Sequence, residues 1–350
     1  MIALENRAIF LPAVGTNFWG HWKQNRRHRN FDLKWFSPHS FFRYPYALIS
    51  AGVALNYNDI YWRDACGYPK DCLLMTDSGG FQLSKGKHID PNVSLSWQEL
   101  NTDIGIVLDV PVRKDSVFEE NLRQSVKYFE IFERNRENHD MKLYNVIQGR
   151  NLQEMTRWWR AVKDFKFDGW CLSAPDKKMQ VLGYLMLHEN EAENLDGHFH
   201  LFGTTNTATM LTMAMLSKHF NTPITFDSTS YTIGSRFRQF LCPRHLKNPL
   251  TFGRYDPRID ANPCHCPVCL HVSVDDLYSQ TNPVTPVLLD LHNMYQYIEV
   301  NNHINSLVRR GDPQALESYA ESVGELETVQ SAEVMLDAYE NRRWSRPMLK

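Results

Sequence analysis

Short apolar, β-rich runs recur along the chain, and each stops abruptly at a polar or glycine residue. CLLM precedes Thr76-Asp77, IGIVL precedes Asp109, LYNVI precedes Gln148 and DGWCL precedes Ser173. Further on, FHLF precedes Gly203 and PITF precedes Asp227. Polar stretches with helical spacing lie between them, such as 118–138 and 152–163. Strands alternating with helices predict a parallel sheet. Six or more such units favour closure into a (β/α)8 TIM-like barrel over an open sheet. In such barrels chemistry gathers at the C-terminal ends of the strands, and the conspicuous polar residues here all fall there. Strands can also end in polar residues simply because turns follow, but that explains six acid, amide and glycine endings less well.

The texture changes near Pro243. Residues 243–270 are rich in Pro, Cys and His and read as loop around a metal. Helical patterns return from Leu288, and 325–343 reads as a C-terminal amphipathic helix. The expected organisation is therefore one barrel, residues 1–242 and 288–350, with a metal-binding subdomain, 243–287, inserted into it. No internal repeat or low-complexity tract interrupts it.

Composition narrows the class. Of 350 residues, 43% are hydrophobic and 22% charged, which supports a sizeable core and excludes a disordered chain. The net charge of −2 announces no polyanion partner, so any nucleic-acid contact must come from a local patch. Seven cysteines, an odd number over a long chain, argue against a secreted disulfide framework. The N-terminus, MIALENRAIFLP, lacks a signal-peptide pattern, and no stretch approaches a membrane span. A soluble protein of a reducing cytoplasm is expected.

Two constellations carry chemistry. Cys264, Cys266 and Cys269 crowd into one C-x-C-x2-C loop, and three soft ligands so close can wrap a tetrahedral ion. A fourth ligand completes a set that suits structural Zn2+, and zinc fits the wide Cys-to-His interval better than an iron–sulfur cluster does. Cys242, His265, His271 and His292 all compete for the fourth position on spacing. The plain alternative is three unligated thiols.

The second constellation is acidic. In TDSGGFQ the glycine pair lets the backbone turn tightly or approach a flat ligand beside Asp77. Asp109 closes a wholly apolar run, so its carboxylate needs a donor partner, which the N–H edge of a guanine-like base supplies. Asp227, in TFDSTSY, stands at a strand end among hydroxyls, where a carboxylate can attack a sugar carbon. Exchange of a base with retained stereochemistry needs two carboxylate roles, a nucleophile and a proton carrier. Each aspartate taken alone could equally be a turn or capping residue.

The strings TDSGGFQ, VLDVP, NVIQG, FDSTSY and C-x-C-x2-C with a later His-Asn, in this order from about Ala47 to Ile304, resemble the tRNA-guanine transglycosylase superfamily. The resemblance implies a β/α barrel with a zinc subdomain and exchange of guanine for a free 7-deazaguanine base through a covalent intermediate. By residue, it implies that Asp227 is the nucleophile and Asp77 the general acid/base, with Ser78 beside it. Asp109 would read the N–H edge of the base, and Gln148, followed by Gly149, its carbonyl side. Gly203, in FGTTN, would position backbone near the base. Cys264, Cys266, Cys269 and His292 match the zinc ligands, which selects His292.

Departures from the family pattern refine the expected polymer. Ser173-Ala174 stands where queuine-type bacterial enzymes carry a glycine pair, Arg150 where a second glycine is usual, and STSYTIGSRFRQF, closer to the archaeal Asp-Ser-x-x-Tyr style, where they carry Pro-Thr-Arg. An added C-terminal RNA-binding module of the archaeal sort does not fit the remaining residues. The combination is most similar to the phage DNA-guanine transglycosylase (DpdA) type, so DNA is the expected partner and 7-cyano-7-deazaguanine the expected base. The alternative is the same exchange on tRNA. A homodimer is a further expectation. A paralogue that only binds nucleic acid should lack one catalytic carboxylate, and a bare zinc-ribbon binder would not need DSGGFQ at a strand end.

Contacts to the polymer are expected from residues 19–46, where Lys23, Arg26, Arg27, Arg29, Lys34 and Arg43 interleave with Trp22, Trp35, Phe41 and Tyr44. The alternative is a basic loop whose aromatics pack on the barrel. Arg236 and Arg238, just past the nucleophile, are expected to hold flanking phosphates. Cys66, Cys72 and Cys171 read as buried small hydrophobes; His198 and His200, which flank a short apolar run, read as satisfied structural histidines, with lining of the pocket as the alternative.

Overall fold

The computed structural model describes residues 4–57, 59–195, 197–203, 205–241, 250–251, 264–279 and 281–341. Eight parallel strands form the frame: β1 (Ala8–Pro12), β2 (Tyr46–Ser50), β3 (Leu73–Asp77), β4 (Ile104–Ile106), β5 (Lys142–Ile147), β6 (Gly169–Leu172), β7 (Phe199–Leu201) and β8 (Ile224–Ser228). Each pairs with its chain neighbours from β2 to β8, and β1 pairs with β8 along Ala8–Pro12 and Ile224–Ser228. At the remaining seam an Ala13–Leu48 bridge forms, and Val14 N donates to Leu48 O at 2.8 Å. The sheet is thus a nearly closed TIM-like barrel. Its strands are almost wholly buried, as expected of a parallel sheet covered on both faces.

The outer helices follow from the polar intervals. The helix Leu152–Val162 buries Leu152, Met155, Trp158 and Val162, one stripe at helical spacing, and Asn151 caps it by accepting from Glu154 N. The stretch read as 118–138 is helical over Phe118–Asn135, and the C-terminal stretch is helical over Leu326–Glu340. No helix among the described residues is long and apolar enough to cross a membrane.

The 26-residue helix Thr285–Arg310 ties the two ends of the barrel together. At about 1.5 Å per residue it spans about 39 Å. Near its C-terminus, Asn301 and Asn305 donate to Ala8 O at 3.0 and 2.9 Å, and Asn305 accepts from Ala8 N. These asparagines hydrogen-bond the first backbone groups of β1. Near its N-terminus it carries the buried Asp290, His292 and Asn293 toward the other end of the barrel.

The aromatic side chains of 19–46 belong to the core. Trp22 and Trp35 are fully buried, with ring centroids 4.6 Å apart, and Phe18 stands 4.9 Å from Trp35. Their indole N–H groups donate to Leu33 O and Tyr46 O. Phe41 and Tyr44 are buried as well. The cation–aromatic pattern in the sequence comes here from core packing under a polar surface.

Candidate active site and metal centre

The strand ends converge on one barrel mouth. Asp77 ends β3 opposite Ser50 of β2, and Ser50 Oγ donates to Asp77 Oδ1 at 2.9 Å. The chain then turns through Gly79, whose φ of +100° is open chiefly to glycine, and Gly79 N donates to the same Oδ1 at 2.8 Å. A Cβ at Gly79 would also lie 2.9 Å from Gly52 Cα, and one at Gly80 would lie 2.9 Å from Asp109 Oδ1. The glycine pair therefore has two separate uses, a left-handed turn that anchors Asp77 and a close approach to Asp109.

Asp227, next to the last residue of β8, is held in a parallel way. Gly203 N, on a φ of +73°, donates to its Oδ1 at 2.8 Å, and Thr205 Oγ1 donates to its backbone carbonyl. In both aspartates Oδ1 is anchored, while Oδ2 has no hydrogen bond among the described residues.

Electrostatics separates the acids. Burial pushes the Asp77 carboxyl up to about 7 against the pull of its two donors, and the charges of Asp227 and Asp109 push it the same way. Burial raises Asp109 to about 6, opposed by Gln148. Burial likewise puts the Cys171 thiol well above its ordinary range, with the Asp109 and Asp227 charges adding to it. The three acids face one interior.

Gln148 Nε2 donates to Asp109 Oδ2 at 2.6 Å, so the two expected base readers satisfy one another. Ser78 is buried and donates to Val107 O at 3.1 Å. Gly149 packs on the start of the Leu152–Val162 helix, where a Cβ would lie 2.7 Å from Met155 N. Ser173 follows β6, and its N–H donates to Ile147 O.

The basic residues fall into two groups. Arg236 and Arg238 are exposed beside exposed Ile233 and Phe237, at the end of the helix that follows β8. Lys23 pairs with Asp59, and Arg27 with Asp32 at 2.7 Å. Arg26 is exposed and makes no ion pair among the described residues. Arg29, Lys34 and Arg43 are engaged with Asp276, Asn25 and Asp71.

Two residues of this mouth escaped the sequence reading. Ser50 ends the YALIS run that directly follows the aromatic–basic segment. Phe81, within TDSGGFQ itself, is 57% exposed, with Lys85 Nζ 4.6 Å from its ring centroid and Arg113 at 5.7 Å. An aromatic directly after a glycine pair was the signal for it.

The metal candidates also converge. One ligand atom each from Cys264, Cys266, Cys269 and His292 lies within 4.8 Å of the others, so the group could hold a metal ion. His292 Nδ1 stands 3.2 Å from the sulfurs of Cys266 and Cys269 and 4.0 Å from that of Cys264. His292 Nε2 donates to Leu241 O at 2.7 Å, which leaves the Nδ1 lone pair facing the three sulfurs. Phe240 stacks on the imidazole at 3.9 Å. This donor set fits a tetrahedral, four-ligand ion. Among the rivals, His265 is exposed and His271 packs on Phe31, while Cys242 and most of 243–263 lie outside the described residues.

Separate strands thus deliver the carboxylates of Asp77, Asp109 and Asp227 to the C-terminal mouth of one TIM-like barrel, the end where such barrels carry their sites. Comparison with known proteins supplies the family. The chain belongs to the queuine tRNA-ribosyltransferase family, which matches residues 63–323. It is 25% identical to a tRNA-guanine(15) transglycosylase of Methanococcus aeolicus, over 72% of this chain and 41% of that protein. It is 25% identical to the Haloferax volcanii protein of the same name, over 77% of this chain and 50% of that one. It is 24% identical to the Sulfolobus acidocaldarius protein, over 68% and 49%. The chain thus spans about half the length, or less, of these curated relatives.

Proposed function

We propose that the chain is a guanine transglycosylase that replaces guanine in a polynucleotide with a 7-deazaguanine. The observation that carries this reading is the matched anchoring of Asp77 and Asp227, one oxygen tied and one oxygen available on each. In the first step an Asp227 oxygen forms a bond to the sugar C1′ as the C1′–N9 bond breaks. The electron pair goes to N9, and Asp77, protonated at neutral pH for part of the molecules, gives its proton to the leaving base. In the second step the entering base attacks C1′ through its ring nitrogen, its proton passes to Asp77, and the Asp227 ester opens. No proton is gained or lost overall.

Asp109 reads the two N–H donors of the base, and Gln148 turns from Asp109 to its carbonyl. Ser78, Gly149, Ser173 and Gly203 shape the slot by backbone. Arg236 and Arg238, with Lys23, Arg26 and Arg27, supply cationic contacts to phosphates. Cys264, Cys266, Cys269 and His292 would hold a zinc ion in a structural role, because four protein ligands leave no open position.

The names of the relatives support tRNA as the polymer. DNA is the second reading. It rests on Ser173-Ala174, Arg150 and the STSYTIGSRFRQF string, all departures from the bacterial tRNA-enzyme pattern. Incubation of the purified protein with labelled 7-cyano-7-deazaguanine and either DNA or tRNA, followed by mass spectrometry of the nucleosides, separates them. Label in tRNA alone rejects DNA, label in DNA alone rejects tRNA, and label in neither rejects the exchange activity.

A further inference from the structure

Two neighbouring loops of the mouth carry basic residues on the side away from Arg236 and Arg238. The turn after the Gly80–Leu83 helix brings Lys85 and Lys87, and the loop between β4 and the Phe118–Asn135 helix brings Arg113 and Lys114. All four are exposed, and none makes an ion pair among the described residues. Lys23 and Arg27, by contrast, are each held by an acid of the chain itself, Asp59 and Asp32. The acids next to the four in sequence are Asp90 and Asp115. Asp90 is committed to capping the Pro91–Asn101 helix, where it accepts from Asn92 N at 2.8 Å.

Both loops are tied in place. Gly86, on a φ of +79°, closes the first turn, and Lys87 N donates to Gln82 O at 3.1 Å. In the second loop Arg113 N donates to Ser116 Oγ at 2.8 Å. Arg150 Nη1 donates to the carbonyls of Lys114 and Ser116 at 3.3 and 3.4 Å, while its Nη2 pairs with Glu154 at 2.6 Å. Arg150 thus binds this loop to the helix that follows β5. The two loops meet where Arg113 Nη2 donates to Ser84 Oγ. Beside that contact Lys85 and Arg113 stand 4.6 and 5.7 Å from the ring centroid of exposed Phe81. Phe81 follows Gly80, whose backbone packs on Asp109, so the basic patch borders the acids directly. Strand order gives its direction: in an eight-stranded barrel β4 stands opposite β8, which leads into the Ser230–Arg236 helix.

We infer that Lys85, Lys87, Arg113 and Lys114 form a second cationic rim, which holds phosphates of the polynucleotide on the β3–β4 side of the mouth, across the barrel from Arg236 and Arg238. The inference deepens the proposed function and rests on it for the kind of polymer that enters. The charge argument is local. The whole chain carries −2, so four cations without acid partners in two adjoining loops concentrate positive potential at one edge of the acidic mouth. A strand that crosses between two cationic edges is held on both sides of the nucleotide presented to Asp77 and Asp227. Phosphate contacts carry no base information, so the rim takes RNA and DNA strands through the same chemistry and fixes where the strand lies.

Fluorescence anisotropy with single-stranded RNA and DNA oligonucleotides of one sequence, each with a single guanine, tests the rim over a range of salt concentrations. The wild type should bind at least one of them. Combining Lys85→Gln with Arg113→Gln should weaken that binding about 10-fold and flatten the slope of log K against log salt by about 1.4, at about 0.7 per phosphate contact of a single strand. Adding Lys87→Gln and Lys114→Gln should flatten it further. Lys142→Gln with Lys166→Gln removes two exposed cations at the other end of the barrel and should leave the slope as it is. In steady-state exchange the Lys85–Arg113 double variant should raise KM for the polymer with KM for the free base unchanged. An unchanged slope in the fourfold variant, an equal fall in the Lys142–Lys166 control, or a wild type that binds neither strand overturns the inference. A fall on RNA alone or DNA alone supports it and identifies the strand the rim serves. Rim-dependent binding without base exchange would sink the proposed function and leave the rim standing, and exchange with rim-independent binding would do the reverse.

Discussion

Replacing Asp77 by Asn should stabilise the protein, and by more the higher the pH. The folded carboxyl keeps its proton up to about pH 7, whereas in the unfolded chain it loses it near 3.8. Between these values folding takes up a proton, so this group lowers stability as pH rises through that window. The full raise corresponds to about 4 kcal/mol at 1.36 kcal/mol per pH unit. Asp77 is partly exposed at the slot, so water access reduces that figure. Asn keeps the oxygen that accepts from Ser50 and Gly79 and removes only the ionisation. The expected gain is about 1 kcal/mol at pH 5 and about 2–4 kcal/mol at pH 8. Urea unfolding of wild type and Asp77→Asn at both pH values, with zinc held constant, measures it, and exchange should be lost in the same variant. An equal gain at pH 5 and pH 8, or a loss of stability at pH 8, would refute the desolvation argument.

Other substitutions read other parts of the structure. Gly79→Ala should destabilise by about 2 kcal/mol or more, because the left-handed φ and the contact with Gly52 Cα both oppose a Cβ. Thermal unfolding checks this, and an unchanged midpoint would contradict the assigned turn. Cys266→Ser should reduce metal content and folding yield together, read by elemental analysis of the purified chain, while Cys171→Ser should leave metal content as it is. Asp109→Asn should raise KM for the free base about 10-fold or more with a smaller change in kcat, since the carboxylate proposed to accept from the base is replaced by a neutral amide.

The barrel was legible because a parallel strand covered on both faces has to be apolar and short. β3 to β8 each announce themselves in that way and end at a polar or glycine residue. β1 and β2 did not. AIFLP runs on through Pro12 into Ala13-Val14 with no polar stop, and YALIS follows a segment whose tryptophans look like a binding patch until their burial is seen. The acids and the thiols were legible because desolvated carboxylates and clustered cysteines have few purposes in a chain of this composition. Ser50, the Asp109–Gln148 contact and the contacts of His198 with Tyr144 and Thr225 were not, since each depends on which strands lie side by side. Sequence order places Tyr144 and Thr225 some eighty residues apart, and only barrel closure puts them within reach of one histidine.

The central claim is that Asp227 becomes covalently joined to the sugar. Denaturing the protein in the presence of its polynucleotide and a base that stalls the second step should trap a protein–nucleic acid adduct, and peptide mapping should place the link on Asp227. The account predicts the adduct in wild type and none in Asp227→Asn. An adduct that survives in Asp227→Asn, or a link mapped to Asp77, would contradict it.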